Sequence, residues 1–266
     1  MYAFDYRRPH SVDEADLALK GLPGAKLLAG GQTLIPTLKQ RLNKPPTVVD
    51  LGAIATLRTI TKKDNGLSIG AMATHHSVAT SADVIATIPG LANLAEGIGD
   101  PQVRNRGTIG GSLANNDPSA DYPAAAVALG ATFKTTKRTL TAEQFFKGLF
   151  ATALEENEIL TEIMFPAAKR FGYAKFANPA SRYALVGVAV AETAAGIRVA
   201  VTGAGADGVF RVPAMEAALA KSFMPTALAG IAVDPKLLSG DMHAAADYRA
   251  HLIGVMAVRA VKMAGG

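Results

Sequence analysis

Two glycine-bearing stretches hold the residues whose types and spacing could do chemistry. The first is Leu28–Pro36, LAGGQTLIP, which follows a short apolar run and precedes a helical one. Gly30 and Gly31 let the backbone take a positive φ and admit a ligand with no Cβ in the way. The next amides, at Gln32 and Thr33, lie near a helix N-terminus. Unpaired N–H groups and the helix dipole there favour an anion such as a pyrophosphate. A tight strand-to-helix turn would look the same, because turn glycines are common. The second stretch is Arg106–Tyr122, RGTIGGSLANNDPSADY, seventeen residues with three glycines. Read as one long loop, it offers backbone amides and the hydroxyls of Thr108 and Ser112, which flank Ile109–Gly110–Gly111, to phosphate oxygens. Asn115 and Asn116 can donate and accept at once. Asp121 opens an Ala-rich helix, and its carboxylate could accept from ribose hydroxyls. A polar surface loop is the alternative, although loops of this length in compact domains are usually functional.

Other chemistries find no support. The sequence has no cysteine, which excludes disulfides, a thiolate nucleophile and iron–sulfur ligands. Its five histidines, His10, His75, His76, His243 and His251, show no metal-ligand spacing. His75 and His76 are adjacent, so on a strand their rings would point to opposite faces. There is no G-x-S-x-G, H-E-x-x-H or Walker lysine loop. Gly203–Gly208, GAGADG, matches G-x-G-x-x-G after a strand, but Val209–Val212 then reads as another strand where a dinucleotide turn opens a helix. A hairpin turn accounts for it. Net charge is +5 and the isoelectric point about 9.4, with the basic residues dispersed. Arg104 and Arg106 are close, but no aromatic residues interleave with them, so nucleic-acid binding is not expected. A phosphate-rich small molecule suits the basic balance better. No apolar run is long enough for a membrane span, and the opening MYAFDYRRPHSVDEAD has no apolar signal core. The expected location is cytoplasmic, without a transmembrane segment.

The elements that must position these stretches fall into three textures. Up to about Asp50, Ser11 and Glu14 form a capping box for a helix through Lys20. A strand Ala25–Leu28, a Gly-Gly turn, a helix Leu34–Leu42 stopped by Pro45–Pro46, and a buried strand Thr47–Leu51 complete a small α/β module. From Ala53 to Pro166 the pattern predicts strands at Leu57–Ile60, Leu67–Ile69, Ala131–Thr136 and Glu158–Phe165. Helical segments are predicted at Val78–Thr80, Val84–Ile88, Gly90–Ile98 and Ala120–Leu129, with a short helix after Leu140–Glu143. Gly70–Thr74 reads as loop. From Lys169 onward, strands at Tyr183–Glu192 and Gly196–Val201 and Ala-rich helices at Pro213–Ala220, Pro225–Ala229 and Ala244–Ala264 suggest an antiparallel sheet with a helical layer. Hydrophobic residues make up 49% and mean hydropathy is +0.20, which suits a packed globular chain.

Taken together, the two glycine stretches, about 75 residues apart, resemble the FAD-binding subunit of the xanthine dehydrogenase and carbon monoxide dehydrogenase family. The matching residues are AGGQTLIP at Ala29–Pro36, VVDLGAI at Val48–Ile54, IGAMATH at Ile69–His75 and TIGGSLANNDPSADYP at Thr108–Pro123. EILTEIMFP at Glu158–Pro166 and YAKFANPASRYALVGVAV at Tyr173–Val190 complete the set. The resemblance covers essentially the whole chain. It implies an α+β fold: a vanillyl-alcohol-oxidase (PCMH) type FAD-binding domain of two α/β subdomains, 1–52 and 53–167. A C-terminal domain of antiparallel strands and helices, 168–266, follows. FAD would lie non-covalently between the subdomains. Carried over, Ala29, Gly30, Gly31, Gln32, Thr33, Leu34 and Ile35 with Thr108, Ile109, Gly110, Gly111 and Ser112 would hold the pyrophosphate. Asn115 would assist, Asp121 would bind an FAD hydroxyl or nearby polar group, and Leu160 would pack near the flavin or adenine. Lys175 or Tyr183 would approach the isoalloxazine, and His75 would border it. One departure is that carbon monoxide dehydrogenase medium subunits have His-Ser where Gln32–Thr33 stand. The resemblance further implies partners: a molybdopterin-containing large subunit that hydroxylates the substrate and a small subunit with two two-iron, two-sulfur clusters. The flavin would pass electrons to NAD, a quinone, a cytochrome or oxygen. The missing cysteines agree, since the clusters must then lie elsewhere, and they argue against an extra four-iron cluster here. Two alternatives stay open: a stand-alone FAD-dependent oxidase of the same fold, and a non-catalytic nucleotide-binding assembly protein.

Overall fold

The computed structural model describes residues Met1–Gly266. In the first unit, β1 (Asp5–Arg7) precedes α1 (Val12–Gly21), whose N-cap Ser11 accepts from the Glu14 amide. Glu14 returns a bond to the His10 amide, one residue before the cap, so the predicted box is shifted by one on that side. β2 (Lys26–Leu28), α2 (Leu34–Lys39) and β3 (Thr47–Asp50) follow. β3 is central in a parallel sheet of order β1-β3-β2. α2 stops short of the predicted Leu42. Arg41 takes φ 63°, and the Leu42 amide turns back to the Thr37 carbonyl, a left-handed helix closure.

The second unit opens with β4 (Ile60–Lys63) and β5 (Gly66–Gly70). Six short helices follow: α3 (His75–Thr80), α4 (Ala82–Thr87), α5 (Pro89–Glu96), α6 (Pro101–Arg106), α7 (Ile109–Asn115) and α8 (Tyr122–Leu129). Then come β6 (Thr132–Thr135), β7 (Thr139–Thr141), α9 (Ala142–Phe145), a small hairpin of β8 (Phe146–Gly148) and β9 (Ala151–Thr152), and β10 (Leu160–Pro166). The sheet has order β4-β5-β10-β6-β7 and is antiparallel throughout. Here the stretch read as one loop, Arg106–Tyr122, is corrected: its middle is helix α7. Thr108 caps it by accepting from the Gly111 amide at 3.1 Å, and Asn116 ends it at φ 45°. His75 likewise opens α3 behind the cap Thr74, whose side chain accepts from the Ser77 amide, so the two histidines sit on a helix and not a strand.

The third unit is a four-stranded antiparallel sheet, β11 (Ala168–Ala177), β12 (Ala184–Thr193), β13 (Gly196–Thr202) and β14 (Phe210–Arg211), with α10 (Pro213–Lys221) and α11 (Ala246–Met263). β11 is absent from the sequence reading, and Gly203–Gly208 is the β13–β14 connection, as the hairpin reading expects. Both faces of this sheet are covered. Val186, Val188, Val190, Val199 and Val201 join the core with Met215, Ile253 and Met256 of the two helices. Their alternates Ala189, Ala191 and Ala200 join the other core, with α8. Strand alternation sends neighbours to opposite faces. Small alanines on that side meet the alanines of α8, all eight of whose residues are buried. The third sheet is therefore pressed onto the helix that begins at Asp121.

Candidate functional site

A cleft of about 630 Å³ runs between the first and second units, with the β11–β12 connection at its rim. That size lies inside the roughly 300–1,000 Å³ of small-molecule sites. Its first wall is Ala29–Leu34. Gly31 takes φ 76°, open to glycine and strained for other residues. The first helical bond runs from the Ile35 amide to the Gly31 carbonyl at 3.2 Å, and the amides of Gly30, Gly31, Gln32, Thr33 and Leu34 have no backbone acceptor.

The opposite wall is Thr108, Gly110, Gly111, Ser112 and Asn115. Its amides are spent inside the protein, contrary to the expectation that they lie free. Ile109 N donates to Ala73 O at 3.0 Å, Gly110 N to Ala71 O at 2.9 Å and Ser112 N to Thr108 O at 3.0 Å. Gly111 N goes to the Thr108 hydroxyl. This wall therefore offers side-chain hydroxyls and amides, and the first wall offers backbone N–H groups.

The walls touch at their base. A Cβ on Gly30 would stand 2.1 Å from the Arg106 carbonyl oxygen and 2.7 Å from Gly107 Cα, and one on Gly111 would stand 3.3 Å from Ala29 Cβ. Gly110 has a packing reason for lacking a side chain, since its Cβ would meet Ala71 Cβ at 2.5 Å.

Of the residues singled out from sequence, Ala29, Gly30, Gly31, Gln32, Thr33, Leu34, His75, Thr108, Gly110, Gly111, Ser112, Asn115, Asp121, Leu160 and Tyr183 line the cleft. Three do not. Ile35 folds back beside Gly31, Ile109 is fully buried in the second unit's core, and Lys175 reaches Asp121 instead. Sequence reasoning missed Lys26, Asn43, Met72, Ile98, Gly107, Asp117, Glu158 and Arg182, which also line it. Met72, Gly107, Asp117, Glu158 and Arg182 lie inside stretches already quoted but were not singled out within them, while Lys26, Asn43 and Ile98 carry no local signal.

The charged groups here are tightly held. Asp121 is 4% exposed. Burial prevails and raises its carboxyl above the usual carboxylate range, with the Lys175 ammonium and the Tyr173 hydroxyl pulling it part of the way back down. Glu158 is opposed by burial too, but bonds from Arg138, Thr135 and the Glu155 amide prevail and hold it at about 2. His75 packs its ring against Tyr122, with centroids 5.4 Å apart. Its Nδ1 and the Tyr122 hydroxyl are buried without a protein partner. Burial, then the Arg104 charge, lower the imidazole to about 4, so it is neutral at pH 7.

A flavin nucleotide fits this donor set. Successive free amides at the head of α2 suit a diphosphate. The Ser112 hydroxyl and the Asn115 amide suit sugar hydroxyls, and Leu27, Met72 and Leu160 give apolar wall for a ring.

Comparison with known proteins agrees. The family model for the FAD binding domain in molybdopterin dehydrogenase matches residues 2–168. The chain is 37% identical to the carbon monoxide dehydrogenase medium chain of Hydrogenophaga pseudoflava, over 98% of this chain and 96% of that one. It is 33% identical to the nicotine 6-hydroxylase medium subunit of Paenarthrobacter nicotinovorans, over 99% and 98%. Its fold superposes on the solved carbon monoxide dehydrogenase from Hydrogenophaga pseudoflava with a TM-score of 0.89, covering 99% of this chain and 98% of the other. The α+β architecture is thus the PCMH-type FAD-binding fold, and the chain belongs to the molybdenum hydroxylase family as its FAD-binding medium subunit, an oxidoreductase flavoprotein.

Proposed function

We propose that this subunit conducts electrons from the iron–sulfur clusters of a small partner subunit to an external acceptor. A large molybdopterin partner performs the hydroxylation. The single observation that carries the reading is the contact of two glycine walls, Gly30 against Arg106–Gly107, around a cleft with free amides on one side. Bound FAD supplies the exchange between one-electron and two-electron transfer that such a relay needs. The chain's own residues bind and orient. The amides of Gly30–Leu34 hold the diphosphate, Ser112, Asn115 and Asp121 meet hydroxyls, and Leu160 packs on a ring. His75 stays neutral at the cleft wall. The sequence contains no cysteine, so the clusters belong to another chain. In this reading, 1–52 and 53–167 grip the cofactor and 168–266 braces the grip. No helix is long and apolar enough to cross a membrane; the location proposed for the complex is the cytoplasm. The acceptor class is NAD, a quinone, a cytochrome or oxygen.

The test is purification of the chain alone and together with its native partners. The reading expects a yellow, FAD-containing chain with no turnover of aldehydes or heterocycles. Hydroxylase activity should appear only in a complex that also holds molybdenum and iron. A folded, colourless chain that ignores added FAD would overturn the cofactor assignment. Turnover of an alcohol or amine by the isolated chain would replace the relay with a self-contained oxidase.

A further inference from the structure

The segment from Asp117 to Asp121 lines the cleft, yet it is held from the third sheet. The buried Thr202 hydroxyl lies 3.0 Å from Pro118 O and 2.7 Å from Ala120 O. Gly203 N donates to Pro118 O at 2.8 Å, and Ala184 N to Ser119 O at 3.3 Å. On β11, Tyr173 and Lys175 are two apart and so share a face. The Tyr173 hydroxyl donates to Asp121 Oδ1 at 2.5 Å, and Lys175 Nζ lies 3.0 Å from the same oxygen and 3.2 Å from Oδ2. Gly187 pairs with Lys175 across the strands, and a Cβ there would stand 2.3 Å from the Tyr173 hydroxyl. The glycine leaves the space that the tyrosine uses to reach Asp121. Neither Tyr173 nor Lys175 lines the cleft, whereas Asp121 does.

We propose that Tyr173 and Lys175 are positioning residues that fix the buried Asp121 carboxyl at the cleft and favour its carboxylate form, as the acceptor for a hydroxyl of the bound flavin nucleotide. This rests on the FAD reading of the cleft. An unpaired buried carboxylate would protonate and lose its acceptor-only character. A lysine and a neutral tyrosine donor together offset part of that cost, and burial beside Asp121 keeps the Tyr173 hydroxyl protonated. The other titratable groups around Asp121 are Tyr183 and Asp117 on flanking loops, Tyr122 on α8 and, behind it, His75 on α3. None of these forms a hydrogen bond with the Asp121 side chain. The third unit therefore does more than cover α8: it positions one cleft residue and lowers the cost of its charge.

The experiment is FAD affinity, read by quenching of flavin fluorescence over about pH 5 to 8. It compares the wild-type chain, Tyr173→Phe, Asp121→Asn and the double variant. The expected result is that Tyr173→Phe weakens FAD by about tenfold at the acid end and less at the alkaline end, because losing the donor raises the Asp121 carboxyl further. Asp121→Asn should bind weakly with a flat profile, and adding Tyr173→Phe to it should change little. A wild-type pH profile in Tyr173→Phe, or effects that simply add in the double variant, would overturn the proposal and leave the tyrosine a packing residue. If circular dichroism shows Tyr173→Phe unfolded, Lys175→Gln enters the same cycle with the same criteria. A wild-type chain that does not bind FAD would sink the cleft reading itself, so the two failures are distinct.

Discussion

A methyl group at Gly30 would stand in the path of the Arg106 carbonyl, 2.1 Å away, and no rotamer can relieve a clash with backbone. Gly30→Ala should therefore pry the two walls apart. We expect at least about tenfold weaker FAD binding, measured by titration, with a modest loss of stability of about 1–3 kcal/mol. At His75 the expectation is a pH effect. Its imidazole is held at about 4 by burial, below its ordinary 6.5. The unfolded chain thus takes up a proton before the folded one as pH falls. The stability this position confers is fully present above about pH 6.5 and drains away toward pH 4, by about 3 kcal/mol. Thermal melts of His75→Gln should show a flatter acid limb over that window, and an unchanged limb would contradict the assignment. The glycines of the first wall were legible in the sequence as turn glycines before a helix, and those of the second as part of a small-residue stretch read as a loop. The grip on Asp121 was not, because Tyr173 and Lys175 come to it from 52 and 54 residues away.

At the scale of elements, α7 shows why the second wall was read as a loop. Gly110, Gly111 and two asparagines have poor helix propensity, and nothing local predicts a helix there. Tertiary contacts impose it: Gly110 lies against Ala71, and the amides at its start are taken by the Ala71–Ala73 segment. Its end is fixed by Asn116, 3% exposed, whose Nδ2 donates to Gly148 O at 2.7 Å and Ala151 O at 2.9 Å. Asn116→Ala would lose both bonds and put a Cβ residue without them in left-handed backbone. A loss of about 2–3 kcal/mol in chemical denaturation is expected, with FAD affinity reduced secondarily as the α7 wall loosens. β11 was illegible for a different reason. Both faces of its sheet are covered and its register slips at Ala168/Arg170 and Phe176/Ala177, so no clean alternation survives in the sequence. β12 and β13 were visible because their valine runs lie between clear turn residues.

For the molecule as a whole, the family model ends at residue 168, yet the cleft is completed by Ser181, Arg182 and Tyr183 from the third unit. Arg182 takes φ 62° and its guanidinium donates to the Gly99 carbonyl at 3.1 Å, tying that unit across to the second. Arg182→Ala should raise the FAD dissociation rate by about fivefold, the worth of one such bond, with little change in melting temperature. An unchanged rate would show that the tie does not restrain the cofactor. The three textures could be read from turn signals and periodicity, whereas the overall α+β architecture followed from the resemblance carried by the motifs. The sandwiching of the third sheet could not, since it depends on alanine facing alanine across units far apart in the chain.

The central claim is that the free amides heading α2 receive the diphosphate of FAD while α7 closes the cleft from the other side. A crystal structure of the chain loaded with FAD tests it most directly. The account predicts phosphate oxygens within hydrogen-bond reach of the amides among Gly30–Leu34, with Gly111 and Ser112 facing them. A diphosphate bound elsewhere, with those five amides turned to protein or solvent, would contradict it.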